Sequence, residues 1–248
     1  MAVSAIQRRW GLRALRRLGQ DARATPVPHV STGFASLDDI LGIGGIPRSR
    51  ITEMLAAPTS GMTTIALKVL ANAQARGDMA AYVDLSYTFD PDYAARCGVH
   101  PSRLLLVRPH HGGEALEIFY RLIASRGIGV LVFDSVSQLM AESQGAQALS
   151  AALRQLTNVV AQSPCAAIFL TPLHFGDASS MDNYPSGFAL PQYAAVRLLI
   201  EKEEWIQKRR DIGGYQARVT VLKNKLGPSG KTASIAITFN GVVDGNGT

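Results

Sequence analysis

The sequence predicts an α/β fold: a mostly parallel, twisted sheet flanked by helices, with antiparallel strands along one edge and a basic helical arm at the N-terminus. Three observations carry the prediction. Strand-length apolar runs alternate with helix-period segments between residues 50 and 171, as expected of strands joined by crossover helices. Residues 128–133, IGVLVF, are wholly apolar and end in Asp134, the signature of a strand buried on both faces. Beyond residue 194, three β-like runs (194–201, 215–223, 232–240) follow one another with no long helix between them.

The elements follow in order. Ile6, Trp10, Ala14 and Leu18 recur every four residues among arginines, which predicts an amphipathic helix over 4–18. Pro26 and Pro28 forbid helix in the linker 20–30. Ser36 is a candidate cap for a short helix through Leu41, closed by the Gly42–Gly45 turn. Residues 50–55 form a first strand, 56–61 a small-residue loop, and 62–76 a helix stopped by Gly77. Strands at 79–84, 103–107, 128–133 and 165–171 alternate with helices at 91–97, 112–126 and 145–162.

Length and composition bound the rest. The 248 residues suit one core domain, 31–248, behind an arm and linker, 1–30. Cys97 and Cys165 stand alone, so neither a disulfide framework nor a zinc site is indicated. No apolar run reaches the roughly 18 residues of a spanning helix, and the basic N-terminus lacks the apolar stretch of a secretory signal. The expected location is therefore the cytoplasm. The net charge of +6 is concentrated in residues 1–23, where six arginines face Asp21. Such an arm suits phosphates, an acidic protein surface or an anionic membrane. The nearly neutral body offers nucleic acid little attraction.

The loop between the first strand and its helix reads Ala56-Ala57-Pro58-Thr59-Ser60-Gly61-Met62-Thr63. Strand, loop and helix N-terminus are the setting in which backbone N–H groups cradle phosphates. Against the pattern G-x-x-x-x-G-K-[ST], Gly61 and Thr63 fit, whereas Ala56 replaces a glycine and Met62 the lysine. A charge-assisted contact of that kind is worth about 1.5–3 kcal/mol. Lys68, five residues after Thr63, faces another direction. Alone, the segment reads rather as an ordinary turn between strand and helix.

Four ordered blocks change its weight: STGFASLDDILGIGGIPRSRITEM (31–54), YVDLSYTFDPDYAARCGV (82–99), GVLVFDSVSQL (129–139) and ARVTVLKNKLGP (217–228). Together they resemble the RecA/RadA recombinase superfamily over nearly all of residues 4–245, which implies a RecA-like P-loop core. The resemblance assigns the nucleotide cradle to Thr59, Ser60, Gly61, Met62, Thr63 and Thr64. It assigns Mg²⁺ to Thr63 and Asp134, and the adenine to Asp90 and Tyr93. Asp134 is otherwise a strand-end cap, and Tyr93 otherwise a packed helix residue. Met62, Ser86 and Pro172 stand where the family has the phosphate lysine, the glutamate that activates water and the glutamine that senses the γ-phosphate. The site is thus a degenerate one, in which ATP or ADP with Mg²⁺ is held weakly or not at all, and no ATPase activity is expected.

Contacts to partners follow from the same resemblance. Lys223 and Lys225 match lysines that reach a neighbour's nucleotide across a filament interface, and are otherwise solvated strand lysines. Ile6, Trp10, Leu15 and Leu18 match the arm that docks on an adjacent protomer. Of the two DNA loops, the first, 140–147, is short and carries Glu142 without a cation. The second, 174–187, offers His174, Phe175, Met181 and Tyr184 for stacking, but also Asp177 and Asp182. DNA contact is therefore expected to be weak or indirect, and the family's C-terminal DNA-gathering domain is expected to be missing. The resulting expectation is a non-catalytic accessory of DNA repair and the SOS response, similar to the ImuA-like helpers of translesion synthesis. It would dock on RecA filaments or a polymerase-like partner, without a membrane role. A DNA-dependent ATPase or recombinase with a variant site, and a SulA-like regulator, are the alternatives.

Overall fold

The computed structural model describes residues 2–11, 26–173, 188–207 and 212–239 in full, with the backbone alone of residues 208 and 211. Its elements are α1 (Ala2–Trp10), β1 (His29–Val30), α2 (Ala35–Leu41), β2 (Ile46–Pro47), β3 (Arg50–Ala56), α3 (Met62–Ala75), β4 (Met79–Asp84), α4 (Pro91–Arg96), β5 (Leu104–Val107), α5 (Gly112–Ala124), β6 (Ile128–Asp134), α6 (Val136–Ala141), α7 (Gly145–Ala161), β7 (Ala166–Pro172), α8 (Leu190–Tyr193), β8 (Val196–Lys208), β9 (Asp211–Asn224) and β10 (Thr232–Thr238). The main sheet has eight strands in the order β10-β9-β8-β3-β7-β6-β4-β5. From β5 to β8 all neighbours are parallel, and β8, β9 and β10 pair antiparallel. The predicted class and edge arrangement are thus present. The first of the three late strands closes the parallel sheet, and the other two extend it.

Helices cover both faces. α3 is buried nearly all round, and its Ile65, Val69 and Leu70 pack in one core with Met54, Ile168, Leu170 and Leu198. On the other face, α5 and α7 present Leu116, Phe119 and Ile123 and Leu149, Leu153, Leu156 and Val160 at helical spacing. These meet Phe133 and Phe169, whose rings lie 5.6 and 4.9 Å from that of Phe119. Burying each such ring stabilises the fold by about 1.5–3 kcal/mol. The amino end of the sheet is clasped by Arg48, which pairs with Asp78 and donates to the carbonyls of Gly129 and Pro164.

Several expectations need correction. The arm helix ends at Trp10, because Gly11 turns left-handed (φ 87°) and its N–H returns to the Gln7 carbonyl. Leu15 and Leu18 lie outside the described residues, as does most of the linker. Ser36 caps nothing; its hydroxyl donates to the Ser234 carbonyl, and α2 starts from Phe34 without a side-chain cap. The C-terminal stop holds: Gly42 is left-handed at φ 72°. The small β1–β2 ladder, α6 and α8 have no counterpart in the sequence reading, each being too short to show a period.

Candidate functional site: a cleft over a degenerate phosphate loop

β3 delivers the loop at the carboxyl end of the parallel strands, beside β7 and β8. Ala56 is still a strand residue, paired with Pro172 and Ile200. The Cβ that Ala56 brings to the family's glycine position is therefore no obstacle. The chain then curls through Thr59 (φ 62°) and Gly61 (φ 98°) into α3. A left-handed β-branched threonine is an uncommon, costly conformation. Alternating hand turns successive N–H groups toward one side, which makes a concavity suited to anions.

The cleft above the loop has a volume of about 660 Å³. Thr59, Ser60, Gly61, Met62, Thr63 and Thr64 form its floor; Ser86, Thr88, Tyr93, Asp134, Ser135, Ser137 and Gln138 form one wall; Pro172 and Leu173 flank it. The opposite wall is Tyr215, Ile237 and Phe239 from the antiparallel extension. Sequence reasoning missed these last three, for they carry no motif and reach the loop only through sheet order; Thr88, Ser135, Ser137 and Gln138 lie within the quoted blocks but were not singled out. A methyl group at Gly61 would stand 2.2 Å from Ile237 Cδ1 and 3.1 Å from the Tyr215 hydroxyl. Only glycine permits this close approach.

Asp134 ends β6 opposite Asp84 of β4. Its Oδ2 accepts from the Tyr82 hydroxyl at 2.5 Å. Burial raises its pKa, the Tyr82 hydrogen bond opposes the rise, and the Asp84 charge adds to it. Asp84, fully buried, accepts from the N–H groups of Thr88 and Phe89, from Ser86 Oγ and from Arg108 Nε at 3.1 Å. Ser86 Oγ also lies 2.7 Å from Thr88 Oγ1. The Ser86 hydroxyl is thus engaged by Asp84 and Thr88, and a serine hydroxyl is itself a poor general base. Tyr93 reaches Thr64 Oγ1 at 2.6 Å and so ties α4 to α3. Burial raises its pKa. Asp90 sits outside the cleft lining: its Oδ1 accepts from the N–H groups of Asp92 and Tyr93 as the cap of α4.

Among the described residues, Asp134 is the one charged side chain that lines the cleft. Met62 is buried against the core. Lys68 lies against Gly33 on the far side of α3, as its spacing predicted. Volume, hydroxyl lining and loop curvature fit an adenine nucleotide, and Thr63 and Asp134 are the oxygen donors that could hold a Mg²⁺ accompanying it. Among the described residues, no cation lines the cleft to face its phosphates.

Lys223 and Lys225 stand at the other end of the sheet, next to the start of β8. Lys223 is not a solvated strand lysine. Its ammonium donates to the carbonyls of Pro191 and Gln192 in α8, and burial lowers its pKa. Lys225 is exposed. Below them, buried Glu53 pairs with Arg197 at 2.6 Å and accepts from Thr171. Burial raises its pKa against the pull of Arg197. Three residues separate α6 from α7, so the first candidate DNA loop is short as expected. Glu142 is spent there on the Gly112 N–H, at the positive end of α5. His174, Phe175, Met181 and Tyr184 lie outside the described residues. In α1, Ile6 and Trp10 are exposed, with Arg9 over the Trp10 ring. No described helix is long and apolar enough to cross a membrane.

Comparison with known proteins agrees with this geometry. The model of the RecA N-terminal domain matches residues 1–244. Protein RecA of Frankia casuarinae is 38% identical over the whole chain, which spans 76% of that protein. Protein RecA of Brucella canis is 40% identical over 96% of the chain and 70% of its own length. Among solved structures, the crystal structure of the RadB recombinase superposes with a TM-score of 0.68 at 23% identity, covering 87% of this chain and 99% of that one, a likeness of fold. The chain therefore belongs to the RecA N-terminal domain family.

Proposed function

We propose that this protein is a RecA-family accessory of DNA repair and the SOS response that has lost ATP turnover. It acts, as ImuA-like proteins do, by docking on RecA filaments or on a translesion polymerase partner in the cytoplasm, near the nucleoid. The observation that carries this reading is a cleft that keeps the shape of a nucleotide site without its reactive groups. Met62 is buried at the lysine position, Ser86 is hydrogen-bonded to Asp84 and Thr88, and Pro172 closes β7 where an amide side chain would sense the γ-phosphate. The cleft remains an adenine-nucleotide pocket with a weakened hold on the phosphates, where Tyr93 flanks the base and Asp90, outside the lining, caps the helix that carries Tyr93. The exposed Ile6 and Trp10 of α1 supply an apolar anchor among arginines for the partner, and DNA is met weakly or through that partner.

Two measurements test this. ATP hydrolysis is expected to be absent with and without single-stranded DNA, and DNA-stimulated turnover overturns the reading. The protein is expected to bind a RecA filament or an error-prone polymerase, with Trp10→Ala weakening the complex. Tight DNA binding with neither partner makes it a plain DNA-binding protein. Retention of Thr63 and Asp134 favours the second reading, a recombinase with a variant site. Under the accessory reading, Met62→Lys with Ser86→Glu does not restore turnover, since Pro172 has no amide to offer.

A further inference from the structure

The sheet supplies a cation beside the cleft from a strand that carries no nucleotide motif. β8 lies alongside β3, and Ala56, the first residue of the phosphate loop, is the register partner of Ile200. Lys202 lies two residues beyond Ile200, on the same strand face and roughly 6–7 Å further along β8. It therefore runs level with the loop on the neighbouring strand.

Its aim is set by a register shift between Lys202 and Trp205. In a regular strand, residues three apart point to opposite faces. The shift brings both side chains to one face, over Tyr215. The Lys202 ammonium stands 4.3 Å from the centre of the Trp205 ring and 5.7 Å from that of Tyr215. The two rings meet edge to face at 6.0 Å. Tyr215 lines the cleft, and its hydroxyl is the atom found 3.1 Å from a methyl group built on Gly61. Among the described residues no carboxylate pairs with Lys202, whereas Glu203 beside it is taken by Arg218. An ammonium on two aromatic faces is held in place yet keeps its charge and its donors.

We propose that Lys202 replaces the missing loop lysine: it is the cation that meets the phosphates of a nucleotide held in this cleft. The proposal rests on the reading of the cleft as an adenine-nucleotide site. The Trp205 and Tyr215 rings position the ammonium until an anion enters, and its four-carbon stem lets it swing toward the loop N–H groups without movement of the backbone. The phosphate subsite is thus assembled from β8 and α3 rather than from the loop alone.

Calorimetric titration of the full chain with Mg-ATP and with adenosine tests this. Adenosine reports on the base and ribose contacts, and ATP adds the phosphates. Lys202→Ala is expected to weaken ATP binding about tenfold and to leave adenosine binding unchanged, while Lys202→Arg retains ATP binding. Lys202 is exposed, so the variant folds. Unchanged ATP affinity in Lys202→Ala overturns the proposal and leaves the cleft reading intact. So does an equal loss for both ligands, which marks a merely structural residue. A wild-type protein that binds neither ligand overturns the cleft reading and this proposal with it.

Discussion

The two walls of the cleft hold their shape by different means. The acid wall, at the ends of β4 and β6, is a closed polar network: Asp84 has four partners, and Asp134 is held by Tyr82. The loop wall is held by fit, with Met62 in the core and Ile237 seated against Gly61. A polar network depends on every member, because removing one leaves buried groups unpaired. A packed loop depends on volume and backbone, so a lysine can become a methionine while the curve persists. The contrast explains how charge was lost on one side of the cleft without loss of its form.

Substitutions that break each wall sharpen the contrast. The largest effect is expected for Asp84→Ala, which strips the N–H groups of Thr88 and Phe89 and the guanidinium of Arg108 of their buried acceptor. A loss of about 3–5 kcal/mol is expected in denaturant unfolding, and a loss under 1 kcal/mol removes the network from the account. Gly61→Ala comes next. The left-handed backbone and the clash with Ile237 are expected to cost about 1–3 kcal/mol. Ile237→Val in the same chain should restore part of this, and strict additivity in the double-mutant cycle counts against packing as the cause.

Asp134→Asn has the smallest effect, and pH reveals it. Burial, reinforced by the Asp84 charge, raises the Asp134 pKa, so the folded chain holds that proton more firmly than the unfolded chain. The resulting stability is full below the unfolded pKa of about 4 and is lost as pH rises through the folded value. Asp134→Asn is therefore expected to flatten the fall in stability above about pH 4. An unaltered profile in thermal melts assigns that slope to other groups, with Glu53 the next to examine.

The parts legible in the sequence are those whose cause is local. Strand and helix periods are written in consecutive residues, so β3 to β7 and, α6 apart, the helices between them could be read directly. Gly42 and Gly61 announce turns that other residues resist. Met62, Ser86 and Pro172 could be placed because family blocks fix their position, and the structure brings all three to one cleft. The far wall is another matter. Tyr215, Ile237 and Phe239 reach Gly61 only because β8 joins the sheet beside β3, and no local pattern encodes that adjacency. Lys202 is hidden more deeply still, since strand alternation alone places it and Trp205 on opposite faces. Asp90 and Glu142 show the converse: as a cap of α4 and a partner of the Gly112 N–H, each does ordinary structural work that a motif does not distinguish from contact with a ligand.

Lys223 carries a consequence for assembly. Its ammonium is moored to the last turn of α8 by two carbonyls. A neighbouring molecule that draws this lysine across an interface must first unmoor it, which leaves Pro191 and Gln192 with bare carbonyl oxygens. Docking at Lys223 would then loosen the tether of α8. The lysine would then work as a clutch: turned inward, as here, it steadies its own chain, and turned outward it would pass that rigidity to a complex.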